Sequence, residues 1–204
     1  MILIYTLIII LVSVIIHEYM HGWMAERLGD QTAKNAGRLT LNPIAHIDPW
    51  GSLLLPFLLY IGTGGGLVFG YAKPVPINPH NLRDVKYGSA KVAAAGPLSN
   101  LAVAVFFGLI LRFFWPSILA IDENLVAMFT IIVQINLVLM VFNLVPIPPL
   151  DGSRIIEPFL PYNLRVKWAE LEKYGMLLIL FFIMFGFSII IPIIVFLFNL
   201  IVGV

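Results

Sequence analysis

Four stretches of this chain are apolar almost without interruption: Met1 to Ala25, Val92 to Trp115, Asn124 to Val145 and Tyr174 to Val204. Each is long enough for the roughly 20 residues that a helix needs to cross a bilayer. A fifth, Gly51 to Gly70, is less regular, because Pro56 and the run Gly62-Thr63-Gly64-Gly65-Gly66 would break a continuous helix near its middle. The pattern predicts an all-α polytopic membrane protein, a bundle of about 4–6 transmembrane helices, with one or two spans in 174–204 around Pro192.

The positive residues decide between two topologies. If 51–70 crosses, the 12 Lys and Arg divide as four (Arg27, Lys34, Arg38, Arg112) against eight. If it enters and returns, the split becomes eleven against one, with only Arg112 on the far side. Positive residues in short loops favour the cytoplasm, so 51–70 is read as re-entrant. The end of the first helix, the start of the Val92 helix and the end of the Asn124 helix then meet at the cytoplasmic face. Leu67 to Asn78 is rich in β-formers and carries two prolines, which suits an edge strand. Extended backbone survives at membrane depth only where protein or a wet cavity covers it, so a small re-entrant β element lining such a cavity is expected; the plain alternative is a loop at headgroup level.

Composition agrees with the pattern. Hydrophobic residues make up 60% of the 204 and charged residues 11%, with a mean hydropathy of +0.99. No linker, repeat or low-complexity tract divides the chain, so 1–204 reads as a single integral-membrane domain. A net charge of +1 offers no basic surface for nucleic acid. Cysteine is absent, which excludes disulfides and thiolate ligands and leaves His, Asp and Glu for any metal. The N-terminal run has no positive leader and no small-x-small cleavage site, and reads as a retained span.

The chemistry stands at the end of that first run. His17-Glu18-Tyr19-Met20-His21 is an H-E-x-x-H motif. Residues four apart share a helix face, so both imidazoles can reach one metal with Glu18 projecting beside it, two ligands and a general base. The plain reading, polar residues closing a hydrophobic helix, is weaker, because ionisable groups beside a span are expensive and usually functional. His17 lies eight residues before Ala25, which puts the metal roughly 12 Å inside the helix end. Catalytic zinc takes three protein ligands and keeps a fourth position for water. The H-x-x-G-x-x-H extension of one soluble class is excluded, since Met24 and Arg27 stand at the required Gly and His positions. Glu26 is too near on the same helix, and Glu123 falls on the opposite membrane face. Asp151 is the best candidate: it follows Asn143-Leu144-Val145-Pro146-Ile147-Pro148-Pro149-Leu150, whose prolines end the preceding helix, and Gly152 allows a tight backbone after it. Alone, Pro-Leu-Asp-Gly would be a turn; at the same face as an H-E-x-x-H helix it reads as a ligand.

With these motifs the chain resembles the site-2 protease family of intramembrane zinc metalloproteases, in its short form without a PDZ domain. The resemblance rests on His17 to His21, on Asn143 through Asp151-Gly152, and on Ala95-Gly96-Pro97-Leu98-Ser99-Asn100; Leu41 to Pro49 and Tyr71 to Pro76 also match the subgroup. It implies one zinc per chain on His17, His21 and Asp151, with Glu18 as catalytic base. Asn143 matches a family residue thought to hold substrate or site geometry, Asn100 lies in the Gly-Pro motif, and His46 is a further polar candidate near the site. All three are candidates for binding substrate or the oxyanion; equally, each amide could serve only to bond neighbouring helices, and the loop histidine could be merely structural.

Such a site would hydrolyse peptide bonds in or near transmembrane segments of membrane-protein substrates, in lipid, near the cytoplasmic side of a prokaryotic cell membrane. Zinc lowers the pKa of water toward about 7 and polarises a carbonyl, with Glu18 accepting the proton. A helical substrate must first be unwound, and an edge strand at Leu67 to Asn78 could hold the unwound segment by strand addition. The rival readings are a metal-ion or proton transporter and a catalytically silent scaffold. Ion passage needs neither a Glu between the two histidines nor a breaker-bounded Asp at the same depth.

Overall fold

The computed structural model describes residues 2–62, 64, 70 and 72–203. Its helices are α1 (Ile2–Arg27), α2 (Thr32–Asn35), α3 (Leu55–Gly62), α4 (Gly88–Ile121), α5 (Glu123–Leu144), α6 (Asp151–Ile156), α7 (Tyr162–Leu171), α8 (Gly175–Phe181) and α9 (Phe187–Val202). Among the described residues, four helical runs are long and apolar enough to cross a membrane: α1, α4, α5 and the continuous stretch Tyr162–Val202. Pro192 lies inside α9 and does not end it, so the C-terminal apolar segment supplies one span. Asp122 separates α4 from α5 and caps the latter, its carboxylate accepting from Asn124 N–H.

α5 is the central helix, with 33% of its apolar window buried against 17–22% in the other three. Its partners α4 and α9 share an apolar core with it, including Ala104, Leu111, Val133, Leu137, Ile190 and Ile194. Gly108 lets Ile201 come against the α4 backbone, where any Cβ would collide with it. Outward-facing residues such as Leu7, Phe106, Phe113, Phe181 and Phe196 are large, apolar and exposed. Lipid accepts that surface without the penalty water would impose, so the helices need only close packing to stay together.

The segment between α1 and α4 folds back over the end of α1. Asp30 is fully buried and gathers bonds from Thr32 N–H, Thr32 Oγ1, Asn78 N–H and Asn81 Nδ2. Arg83 N–H closes onto the Leu28 carbonyl. These bonds draw Ala72–Asn78 back along α1, where Val75 meets Glu18 and Gly22.

Of the fifth apolar segment, residues 51–62, 64 and 70 are described. It holds a six-residue π-helical turn, Pro49–Leu54, followed by the eight residues of α3, about 21 Å of helix where a bilayer core needs about 30 Å. The β element expected at Leu67 to Asn78 is not formed among the described residues, which contain no strand; Leu67, Val68, Phe69 and Tyr71 lie outside them. Pro74 and Pro76 strip the N–H donors from one edge of this segment, and no described strand pairs with the other edge. The remaining donors find separate partners: Lys73 N–H the His46 carbonyl, Val75 N–H the Glu18 carboxylate, and Asn78 N–H Asp30.

After α5 the proline-rich stretch turns the chain sharply. Val145 and Ile147 accept from Ile147 and Leu150 N–H, and the Pro148–Pro149 peptide is cis. Gly152 packs on the carbonyls of Leu144 and Val145, leaving no room for a Cβ. Only glycine lets α6 start so close to the end of α5, and that start carries Asp151.

Candidate metal centre

One turn of α1 separates His17 from His21, and both side chains face α4. Val92, Gly96 and Asn100 follow each other at intervals of four on α4, so they present one face. The face supplies an acceptor, a gap and a second acceptor. His21 Nδ1 lies 2.8 Å from the Val92 carbonyl, and His17 Nδ1 lies 2.6 Å from Asn100 Oδ1. Between them Gly96 leaves the space the rings need: a Cβ there would sit 2.5 Å from His21 Nε2 and 2.6 Å from His17 Nε2.

The two Nε2 atoms point at one another across 3.0 Å. Asp151 Oδ2 completes the group, 3.1 Å from His17 Nε2 and 3.3 Å from His21 Nε2. A backbone carbonyl can only accept, so His21 carries a ring proton on Nδ1 and, as the neutral imidazole, keeps its Nε2 lone pair for a ligand role. With Asn100 Oδ1 accepting from His17 Nδ1, the same holds for His17. Two Nε2 atoms and one carboxylate oxygen therefore converge, and Asp151 Oδ2 is buried without a hydrogen-bond partner despite two nitrogens within 3.3 Å. With both imidazoles neutral, these lone pairs repel one another unless a cation lies among them. A tetrahedral ion bound at about 2.0–2.1 Å separates its ligand atoms by about 3.3 Å. The observed spacings fit that within a few tenths of an ångström, and the donor set of two imidazoles and one carboxylate suits zinc.

Glu18 projects beside the cluster, half-buried, with Oε2 accepting from Val75 N–H at 2.9 Å. His17, His21 and Asp151 are thus brought together from residues 134 positions apart or less in sequence, and Glu18 stands next to them. Asn100 lies on the far side of His17 from Asp151, its nitrogen 2.9 Å from Asn136 Oδ1 and 3.4 Å from the Ser13 carbonyl. Asn143 is tied to its own helix through Nδ2 and the Leu139 carbonyl. His46 is buried in its loop, Nε2 2.8 Å from the Thr40 carbonyl, while its own carbonyl holds Lys73.

Sequence reasoning missed Gly96, the Val92 carbonyl, Ser13 and Asn136. A signal existed for one of them: Ser13 stands one turn before His17 on the same face, whereas Asn136 shares its span with Gln134 and Asn143 and is not singled out by the sequence.

The sequence profile of Peptidase family M50 matches residues 5–120 and 116–187 of this chain. The Bacillus subtilis protein named "Putative zinc metalloprotease YwhC" is 42% identical over 180 residues, 86% of this chain and 78% of that protein. Rip2 of Mycolicibacterium smegmatis, which carries the same description, is 32% identical over 173 residues, 83% of this chain. The chain spans 62% of the length of that relative. MJ0611 of Methanocaldococcus jannaschii, again so described, is 30% identical over 150 residues, 72% of this chain and 66% of that protein. No solved structure matches the chain.

Proposed function

Because the chain belongs to peptidase family M50, we propose that His17, His21 and Asp151 hold its one zinc ion and that Glu18 is the catalytic base. The protein is a zinc metalloprotease of the site-2 type, integral to the membrane and acting on membrane-protein substrates. The observation that carries the ligand assignment is the convergence of two Nε2 atoms and one carboxylate oxygen at tetrahedral spacing. Its first ligands come from residue 17 and its last from 151, so 1–204 works as one membrane domain.

Zinc bound there supplies an acidified water and a Lewis acid for the scissile carbonyl. The chain's own residues do the rest. Glu18 takes a proton from the attacking water as its oxygen bonds to the carbonyl carbon, and returns that proton to the departing amide nitrogen. Asn100 and Val92 hold the two imidazoles by Nδ1, so the Nε2 lone pairs stay aimed at the metal. Val75 N–H fixes one Glu18 oxygen and leaves the other for water. The extended backbone at Ala72–Asn78 passes beside the base, and an unwound substrate segment would lie along it.

The site faces the cytoplasmic side of a prokaryotic membrane. Re-entry of 51–70 leaves eleven of twelve Lys and Arg on one side, and the shortness of the helix at Pro49–Gly62 favours re-entry. The three relatives described above are bacterial or archaeal. Cysteines placed at Lys34, Arg83 and Arg165 of this cysteine-free chain should label from the cytoplasm and one at Asp122 from outside. Opposite labelling of positions 34 and 83 would make 51–70 a span.

The test of the ligand set is metal content in purified protein. Wild type should carry about one zinc, cleave single-span substrates and lose both on chelation, while Asp151→Ala should lose metal. Full zinc retention in Asp151→Ala would show a different third ligand.

A further inference from the structure

The orientation of His17 is set from a distance. Ser13 on α1, Asn100 on α4 and Asn136 on α5 are buried together, both amides at 0% exposure, in a part of the bundle that is otherwise apolar. Their hydrogen bonds can be followed from a group whose role is not adjustable. The Ile132 carbonyl can only accept, so the atom of Asn136 that lies 2.9 Å from it must be the nitrogen. The same nitrogen donates to Ser13 Oγ at 3.0 Å. Asn136 Oδ1 is thereby turned to Asn100, whose nitrogen donates to it at 2.9 Å and also faces the Ser13 carbonyl. Only the oxygen of Asn100 is left for His17, 2.6 Å from Nδ1. The ring proton must then sit on Nδ1, and Nε2 is free for metal. Reversing either amide would set oxygen against a carbonyl.

We propose that Asn136 and Asn100 are positioning residues that, with Ser13, transmit the polarity of the Ile132 carbonyl to His17 and fix the imidazole tautomer that can bind zinc. This rests on the reading of His17 as a zinc ligand. The competing role is helix association, since buried amides also join membrane helices. That role would change stability without changing the tautomer.

The network has a consequence for assembly. Asn136 stands on the helix whose exit carries Asp151, and Ser13 and His17 stand on α1. The same bonds therefore register α5 against α1 while they orient the ring. A positioning partner of this kind typically changes metal affinity by about 10–100-fold.

The test uses Asn136→Leu in the intact chain, which keeps side-chain size but removes the 2.9 Å acceptor of the Asn100 nitrogen, leaves it only the 3.4 Å contact with the Ser13 carbonyl and lets its amide turn over. The first readout is the 15N NMR of labelled histidine in metal-free protein, with the His17 signals assigned by their loss in His17→Ala. Wild type should show a proton on Nδ1 alone, and Asn136→Leu a mixture of tautomers. The second readout is zinc affinity by chelator competition, which should fall by about 10–100-fold. If the leucine is not accommodated, Asn136→Ala removes the same acceptor and is read in its place. An unchanged tautomer with unchanged zinc affinity overturns the proposal and leaves helix association. Zinc retained by His17→Ala overturns the ligand reading beneath it, so the two failures are distinct.

Discussion

α4 and α5 are packed on two sides, and the two sides are built differently. Toward α9 the buried contact is apolar, with Ala104, Leu111, Val133 and Leu137 meeting Ile190 and Ile194 and Gly108 admitting Ile201, while at its exposed end Arg112 Nη1 donates to the Leu200 carbonyl. Toward α1 the same helices present Asn100, Asn136, a backbone carbonyl and Gly96 to two imidazoles and a serine. Van der Waals packing is enough to hold helices together in lipid. Buried amides are therefore not needed for the bundle, and they stand on the side where a ligand must be aimed. Each side also uses a glycine to bring a neighbour close to α4: Gly108 makes room for a methyl group, Gly96 for a metal site.

The largest effect expected from breaking this comparison is at Gly96. Gly96→Val places side-chain atoms where the Nε2 atoms and their ion belong, and zinc binding should be abolished. Gly108→Ala should instead lower thermal stability, by about 1–3 kcal/mol for an overpacked core, and keep full zinc. Metal analysis and a melting curve on each protein separate the two. Stoichiometric zinc in Gly96→Val would mean the cluster is not the metal site.

A smaller effect is expected where the polar bonds lie outside the spans. Burial works to raise the Asp30 pKa, but bonds from Thr32, Asn81 and Asn78 together hold it below the usual carboxylate value of 3.8. A lowered folded-state pKa contributes stability that is fully present above 3.8 and is lost as pH falls through the folded value. Amide exchange in 72–83 should therefore stay slow from neutral pH down to about 4 and rise below it, once the intrinsic pH dependence of exchange is divided out. Asp30→Ala should open the segment at neutral pH, at a cost of about 1–3 kcal/mol for stranded donors. Protection that is identical in wild type and Asp30→Ala would remove Asp30 as the anchor.

The smallest effect belongs to the exposed pair Lys34–Glu26, 2.7 Å apart. Salt bridges in water contribute little, so Lys34→Met should leave zinc content, cleavage and melting unchanged. A clear loss of zinc there would mean that the surface loop, and not the α1–α4 seam, controls the site.

What could be read from sequence follows the same division. Helix length and apolar runs announced the four spans, because a bilayer sets both. Spacing announced His17, Glu18 and His21, since a helix puts i and i+4 on one face, and the prolines and Gly152 marked the break that delivers Asp151. The Val92 carbonyl had no signature, because every residue has one. Gly96 sat inside a motif, but its meaning is a space that exists only once α1 lies against α4. Asn136 is one of several amides in α5, with Gln134 and Asn143, and which of them meets a buried partner depends on the rotation of that helix. Leu67 to Asn78 looked like an edge strand from its β-formers and two prolines, but a strand needs a partner, and in Ala72–Asn78 the N–H groups of Lys73, Val75 and Asn78 go instead to the His46 carbonyl, Glu18 and Asp30.

The central claim is that this seam is a hydrolytic site with Glu18 as its base. The direct measurement is turnover of a single-span substrate by wild type and Glu18→Gln at matched zinc occupancy. Glutamine cannot take the proton but leaves His17, His21 and Asp151 in place, so the variant should bind zinc as wild type does and lose cleavage by at least about 10²–10⁴-fold. Equal turnover at equal zinc would contradict the account.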